Sequence, residues 1–471
     1  MLLVRVVGLV LPPPWSALNL VTLAAAVVAV AMAGAIGRAL AERLWPGERA
    51  TTLAGISAGV ALATALSFWK QSVIGEVYTL HLAILLVALA LITPPRGPHP
   101  RRALLTCYVL GLGLAHHLQI LPAIAVLGVW LVIDGRLSRA TLAEPRRVAI
   151  GLALFLVPAS LYLVHRVRSA QHPVMDWGDP ETWPRLWWSM SGAAYRGHLM
   201  GGGLGATLQR LGDALLQGPV EQLGILGTGL ALVGLGFVLV RAPRTGALLC
   251  LLLVATSGVA AAYGIPDPAA YYLPAVAALA LAAGLGAAWL VRGARTVASR
   301  ISGPARIVPG AAAWGLLAAT LALQVNEVRP EADARAELGG LEYAALGTAT
   351  LAPHALVITH GDGRTFSLWY GTLVLDRRPD VLVLYDHLLE WPWYQELVRL
   401  RDPSIRLPSP ARGREMMRAV LIVDQLAKRP VYLTELEPEI AHLFTVERAG
   451  PLLRVTRGPD LTAVEEASPA D

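Results

Sequence analysis

The residues best suited to chemistry sit in short polar breaks between apolar runs. The first break reads Ser67-Phe68-Trp69-Lys70-Gln71-Ser72-Val73-Ile74-Gly75-Glu76-Val77-Tyr78-Thr79-Leu80-His81. A carboxylate such as Glu76 at a membrane boundary takes a proton from a hydroxyl or binds a hydroxylated ligand, and Tyr78 and His81 lie within one helical turn or so of it. The plainer reading makes Glu76 a helix N-terminal acid paired with Lys70. A second break, His116-His117-Leu118-Gln119, offers imidazoles that donate hydrogen bonds to a phosphate or a sugar hydroxyl; the alternative is a satisfied polar turn. Metal ligation there lacks a carboxylate at helical spacing. A third, Asp176-Trp177-Gly178-Asp179-Pro180, sets two acids around an aromatic ring, an arrangement that suits the apolar face and hydroxyl rim of a pyranose, or equally an ordinary turn beside an interfacial Trp. Asp267, in a Pro-bounded turn, precedes Tyr271 and Tyr272. Thr359-His360-Gly361-Asp362-Gly363 ends an expected strand and reads as a turn, with a ligand held at the top of the sheet as the alternative.

What must position these residues is a membrane. The chain has 471 residues, 55% hydrophobic and 15% charged, with mean hydropathy +0.54, whereas soluble proteins carry about 25% charged residues. Ten apolar stretches approach the ~20 residues that cross a bilayer: 17–36, 53–69, 77–93, 103–115, 118–133, 148–164, 221–240, 247–263, 271–291 and 307–325. The basic residues alternate by loop. Arg38, Arg43 and Arg49, then Arg96, Arg101 and Arg102, then Arg136, Arg139, Arg146 and Arg147, then Arg241 and Arg244, then Arg292, Arg295, Arg300 and Arg306 fill one set; the short loops of the other set hold little beyond Lys70. The positive-inside rule puts the first set in the cytoplasm. The Lys70–Glu76 turn, the His116-His117 turn, the long 165–220 loop, the 264–270 turn and the C-terminal region then fall outside. This loop placement accounts for much of the net charge of +6 and argues against nucleic acid as a partner. Cys107 and Cys250 both lie in apolar runs, which argues against a disulfide framework and a zinc site.

Residues 1–330 therefore form the membrane domain. The 165–220 loop carries Trp177, Trp183, Trp187 and Trp188, then Gly201-Gly202-Gly203; this predicts short helices at the membrane–water interface, followed by a flexible connector. Residues 331–458 alternate strands (355–359, 381–384, 431–434, 452–455) with helices (331–346, 391–400, 414–427), the pattern of a small α/β domain. Residues 459–471 read as a disordered tail. The Arg-rich, Lys-poor composition points to a GC-rich bacterial source and hence a bacterial inner membrane. The loop parity starts the first span outside, although residues 1–14 lack the marks of a signal peptide, so an earlier span is expected to be missing from this sequence.

The chain resembles a bacterial family of unknown-function domains that includes the animal transmembrane O-mannosyltransferase of plexin-type receptors. The resemblance rests on residues 68–81, on Gly111 to His117, on Trp177 to Pro180 with Tyr195-Arg196, on Ile265, Asp267 and Tyr271-Tyr272-Leu273-Pro274, and on Gly361-Asp362 and Arg378-Pro379-Asp380-Val381. It implies the GT-C architecture: a polytopic helical membrane protein, here with about ten spans, and a small extracytoplasmic α/β domain. It further implies transfer of a sugar from a polyprenyl-phosphate carrier, with an acid in the first outer loop as base and basic or His side chains on the leaving phosphate. That first loop precedes the present chain in the family pattern, and Lys70 stands where a small residue is expected.

These readings combine into one expectation. An integral-membrane glycosyltransferase uses Glu76 at the acceptor, with Tyr78, His81, His116, His117, Gln119, Asp176, Trp177, Asp179, Tyr195, Asp267, Tyr271 and Tyr272 binding substrate. Its partners are membrane lipid, a lipid-linked sugar donor and a protein or glycan acceptor; no metal or other cofactor is required by any motif. A transporter with an outward vestibule, or a non-catalytic scaffold left by loss of the first loop, are the alternatives. A transporter needs polar residues through the membrane midplane, and here they gather at one face.

Overall fold

The computed structural model describes residues 14–93, 100–135, 144–335, 339–407 and 413–459. The apolar start before Pro14, the Arg96 and Arg136–Arg139 loops and the expected tail from 460 lie outside the described residues. The chain divides into two compact units, one running to Leu163 and then from Ser191 to Ala334, the other formed by Val164–Met190 and the region from Arg335 onward. The long loop expected at 165–220 is thus shared between the units instead of belonging to one.

The first unit is helical: α1 (Pro14–Leu44), α2 (Ala50–Thr64), α3 (Leu66–Val73), α4 (Tyr78–Ile92), α5 (Pro100–His116), α6 (Ile120–Ile133) and α7 (Pro145–Ala159), the last leading into α8 (Leu163–Ser169), which from Val164 belongs to the second unit. After α9 (Trp183–Met190), which lies in the second unit, it resumes with α10 (Gly203–Leu216), α11 (Gly218–Arg241), α12 (Pro243–Ala262), α13 (Leu273–Ala298) and α14 (Val308–Ala332). Each of the ten apolar stretches carries a helix. Among the described residues, six helical segments are long and apolar enough to cross a bilayer, and a seventh is obtained if α2 and α3, bent by 65° at Ala65, count as one. Length thus yields six or seven crossings where about ten were expected. Helices α4 and α6, at 15 and 14 residues, rise only about 21–23 Å against a hydrocarbon core of ~30 Å.

Helix α13 is the axis of this unit. Its Ala- and Gly-rich sequence leaves it buried from Leu273 to Ala288, because small side chains let backbones approach closely where lipid offers no hydrophobic drive between helices. A Cβ on Gly286 would lie 2.0 Å from the Leu230 carbonyl oxygen of α11, and one on Gly284 would lie 2.4 Å from that of Ala54 in α2. The run Gly201–Gly203 is an ordered turn and not a slack connector. Gly202 and Gly203 take φ of 81° and 80°, the Met200 amide donates to Ala262 O at 2.7 Å, and Arg210 Nη2 donates to Gly201 O at 2.9 Å.

The second unit holds α9, then α15 (Gly339–Thr350), β1 (Leu356–Thr359), α16 (Asp362–Trp369), β2 (Leu382–Tyr385), α17 (Pro392–Arg401), α18 (Arg414–Leu426), β3 (Val431–Leu433), α19 (Pro438–Ala441), β4 (Thr445–Ala449) and β5 (Leu452–Arg457). The single helix expected over 331–346 is two: the end of α14 and α15. The five strands run in the order β2-β1-β3-β5-β4. β1 is parallel to both β2 and β3, with Leu356 opposite Leu382 on one side and Val431 on the other. β5 is antiparallel to β3 and β4. β4 escapes a pattern reading because it is an edge strand, Thr-Val-Glu-Arg-Ala, with no fully buried residue. Side chains of Val357, Ile358, Leu384, Leu421, Ile422 and Leu433 fill the core. The chain reaches β2 on one side of β1 and then crosses to β3 on the other, which leaves a crevice at the carboxyl ends of β1 and β3, the usual ligand position in open α/β sheets.

Candidate functional site

Three turns, distant in sequence, meet at one end of the helical unit. The first precedes α4: the Glu76 carbonyl accepts a hydrogen bond from the Thr22 hydroxyl of α1 at 3.2 Å, and Thr79 returns one to Thr22 O at 3.2 Å. The second joins α5 to α6 and carries His116, His117 and Gln119. The third is the short 3-10 turn Ala269–Tyr272 that leads into α13. Gln119 Nε2 ties the second turn to the third by donating to Tyr271 O at 2.5 Å.

Their rings form one cluster. His117 lies 5.6 Å from Tyr78, 5.6 Å from His81 and 6.1 Å from Tyr271, centroid to centroid. Tyr271 in turn lies 5.6 Å from Tyr78 and 5.0 Å from Tyr263. The hydrogen bonds fix which imidazole nitrogen carries a proton, since the other ring nitrogen of a neutral His must accept. His116 Nε2 lies 2.9 Å from Val77 O, so that nitrogen donates and Nδ1 is the free acceptor. His117 Nδ1 accepts the Gln119 amide at 3.2 Å, so Nε2–H of His117 is the donor left for a ligand. His81 is 1% exposed, and neither of its ring nitrogens has a partner among the described residues; the same holds for the buried Oε1 of Gln119. Buried polar groups left unpaired are costly, so these atoms mark where a polar ligand gains most. Glu76 reaches solvent, yet partial desolvation raises its pKa, against the opposing pull of the Val77 amide. The Tyr263 hydroxyl is pushed up to about 12, chiefly by burial.

The remaining expected residues divide. Asp267 is exposed and accepts the Ala269 amide at 3.4 Å. Tyr195, 46% exposed, is within electrostatic reach of Tyr271. Tyr272 turns away from the ring cluster and lines a separate cavity of about 290 Å³ with Ser67, Arg210, Asp213, Glu221 and Gln222. Gln222 Nε2 donates to Ser67 Oγ there at 2.9 Å. Arg210 and Gln222 were not legible as site residues: each lies in an ordinary helix, and only the fold brings Gln222 to Ser67. Asp176, Trp177 and Asp179 belong to the second unit. Ser169 donates to Asp176 at 2.6 Å and to Asp179 at 3.1 Å, Arg185 pairs with Asp179 and with Glu396 at 2.8 Å, and Trp177 packs 5.9 Å from Trp393. Burial raises the Asp176 pKa.

The opposite end of the helical unit is different in kind. Arg43 pairs with Asp134 at 3.7 Å, Arg292 with Glu48 at 2.9 Å, and Trp130 Nε1 donates to Arg244 O at 2.9 Å. Helix α1 touches both ends, through Thr22 and Arg43, which are about 31 Å apart along a helix rising 1.5 Å per residue. That is about one hydrocarbon thickness. The loops sorted by arginine content in the sequence are therefore sorted to two ends in the fold.

The fold matches a known class. The crystal structure of ArnT from Cupriavidus metallidurans bound to undecaprenyl phosphate superposes with a TM-score of 0.53 at 14% identity, over 96% of this chain and 86% of that one. The apo form of the same protein aligns over the same shares at 15% identity with a TM-score of 0.47. This is the GT-C fold of membrane glycosyltransferases, and the chain is a multi-pass membrane protein. Residues 14–140 match the family model of the protein O-mannosyl-transferase TMEM260 N-terminal domain, and residues 342–419 match TMEM260-associated domain 2, so these two segments are similar to that family. Among curated proteins, none matches.

Proposed function

We propose that the chain transfers a sugar from a polyprenyl-phosphate-linked donor to an acceptor hydroxyl of a protein or glycan, at the extracytoplasmic face of a bacterial inner membrane. In the step itself, the acceptor oxygen bonds to the anomeric carbon and the bond from that carbon to the phosphate oxygen breaks. The acceptor proton passes to a carboxylate, and the electron pair stays on the departing polyprenyl phosphate. Glu76 orients the acceptor hydroxyl or receives its proton; its raised pKa makes it a stronger base than an ordinary glutamate. His117 Nε2–H donates to the leaving phosphate, the free Gln119 Oε1 accepts from a hydroxyl of the donor sugar, and His116, spent on Val77 O, positions the turn. Tyr78, His81 and Tyr271 wall the donor sugar. Asp267 and Tyr195 stand at the rim.

The observation that carries this reading is the meeting of Glu76, His117, Gln119 and Tyr271 at the end of the bundle opposite the arginine-bearing end. The positive-inside rule favours the cytoplasm for the arginines and so the outer face for the cluster. The undecaprenyl phosphate bound by the similar ArnT fold supports a lipid-linked donor entering from the bilayer. The test is release of polyprenyl phosphate from labelled polyprenyl-phosphate hexoses by the full chain in lipid nanodiscs. Glu76→Gln is expected to lower release by about 10²–10⁴-fold with unchanged insertion. A base works only when ionised, so wild-type release should fall as pH drops through a pKa above the usual glutamate value, and that limb should vanish in the variant. Release by Glu76→Gln near the wild-type rate overturns the assignment.

A further inference from the structure

A second cluster, with no part in the transfer reading, lies at the carboxyl ends of the parallel strands. His360 directly follows β1, Asp386 and His387 directly follow β2, and Glu437 closes the loop that leaves β3. One ligand atom from each of His360, Asp386 and His387 lies within 4.8 Å of the others. His360 Nδ1 is 2.8 Å from Asp386 Oδ2 and 3.1 Å from Glu437 Oε1, and the two imidazole centroids are 4.7 Å apart.

We propose that this cluster is a binding site for one divalent first-row transition metal ion such as Zn²⁺, held by His360, Asp386 and His387 with Glu437 as fourth ligand. Four arguments carry it. Two imidazoles with carboxylates are the donor set that Zn²⁺, Mn²⁺ and Fe²⁺ select. His360 Nδ1 lies 2.8 and 3.1 Å from the two carboxylate oxygens, a little inside the ~3.4 Å edge of a tetrahedron with ligands about 2.1 Å from the metal, so a small outward shift of the side chains admits the ion. Asp386 is 0% exposed, yet its Oδ1, like Glu437 Oε2, has no partner among the described residues; an anion is not buried half-satisfied without cost. The crevice beside β1 is the position at which open sheets bind ligands, and the His360 side chain remains 28% exposed, leaving the ion reachable for a water or an oxygen ligand in an open position.

Two arginines define how the site works. Arg418, fully buried, reaches Asp386 Oδ2 at 3.1 Å and Glu437 Oε1 at 2.6 Å. It offsets one of the two carboxylate charges and leaves a net negative site for a cation. Arg414 lies across His387, with Nη1 2.8 Å from Nδ1 and 3.3 Å from Nε2. This contact needs a neutral imidazole, the form that also binds metal. Arg414 Nε also lies 3.6 Å from Glu390 Oε1, a carboxylate partner outside the cluster.

The full-length protein in detergent, stripped with a chelator, is titrated with ZnCl₂ alone by calorimetry and with CoCl₂ alone by visible absorption. One ion per chain is expected, with Zn²⁺ affinity falling at least tenfold in His360→Ala and in His387→Ala, and loss of the Co²⁺ band in both. His387→Ala leaves the buried Arg418–Asp386 pair in place, and thermal unfolding of each variant without metal confirms that it is folded. No stoichiometric Zn²⁺ binding by the wild type overturns the proposal. So does binding unchanged in both folded variants, or stabilisation by inorganic phosphate with none by Zn²⁺, which would make the cluster an anion site.

Discussion

The two polar clusters of this protein are built by opposite means. In the helical unit the cluster around His117 contains no ion pair among the described residues. Its members are neutral rings and an amide, held mostly by backbone carbonyls: Val77 O for His116 and Tyr271 O for Gln119. In the sheet unit the cluster around Asp386 is held by charge, with Arg418 and Asp386 both at 0% side-chain exposure. The difference follows from where backbone groups run out of partners. Helices leave unpaired groups at their ends, so turns between helices collect polar side chains that bond to main chain. Parallel strands end together at one edge of the sheet, so residues that follow them in register meet side chain to side chain, and charges placed there must neutralise one another. The first arrangement leaves donors free for a neutral or phosphate-bearing ligand; the second leaves carboxylate oxygens free for a cation.

The comparison breaks most visibly at Arg418. Arg418→Ala removes the fully buried cation that pairs with Asp386 and Glu437 and leaves two carboxylates beside each other. A loss of about 3–5 kcal/mol in stability is expected, read as early unfolding of the sheet unit in denaturant monitored by limited proteolysis, with the helical unit still resistant. Unchanged resistance of residues 339–459 would mean that charge pairing does not hold that cluster. Next in size is Gly286→Ala. Here a Cβ meets the Leu230 carbonyl at 2.0 Å, and backbone cannot turn aside as a side chain does, so the helical unit should lose about 1–3 kcal/mol, seen as a lower midpoint of thermal unfolding in detergent. The smallest effect belongs to Lys70→Ala. Lys70 Nζ pairs with Glu331 at 3.0 Å, but their side chains are 43% and 58% exposed, so the change is expected to cost no more than about 1 kcal/mol and to leave the unfolding midpoint within error. A large loss there would show that the helical unit also depends on charge.

Lys70 illustrates the reach of a sequence reading. The plain alternative at Glu76 paired it with Lys70, six residues away; in the fold Lys70 pairs with Glu331 at the far end of α14 instead, and Glu76 is left open. The strands at 356–359, 382–385, 431–433 and 452–457 were legible because apolar β-branched runs bounded by turns leave few other choices. β4 was not, since an edge strand needs no buried face. Tyr271 and Tyr272 were singled out together as neighbours. Only the 3-10 turn that carries them sends one to the ring cluster and the other to a cavity lined by Arg210 and Asp213. His360 read as a turn residue because its partners lie far along the chain.

The sequence by itself determined that this chain lives in a membrane, that its arginine loops and its polar turns sort to opposite ends, and that a strand-and-helix region follows. These are matters of composition and local periodicity, and they act within a turn or a span. Which residues touch is set by the packing of α13 against α2 and α11 and by the parallel pairing of β1 with β2 and β3. Those are contacts between segments tens to hundreds of residues apart, and no local pattern encodes them. So the tertiary structure alone decided that His117 faces Tyr78, His81 and Tyr271, and that His360, Asp386, His387 and Glu437 share one crevice.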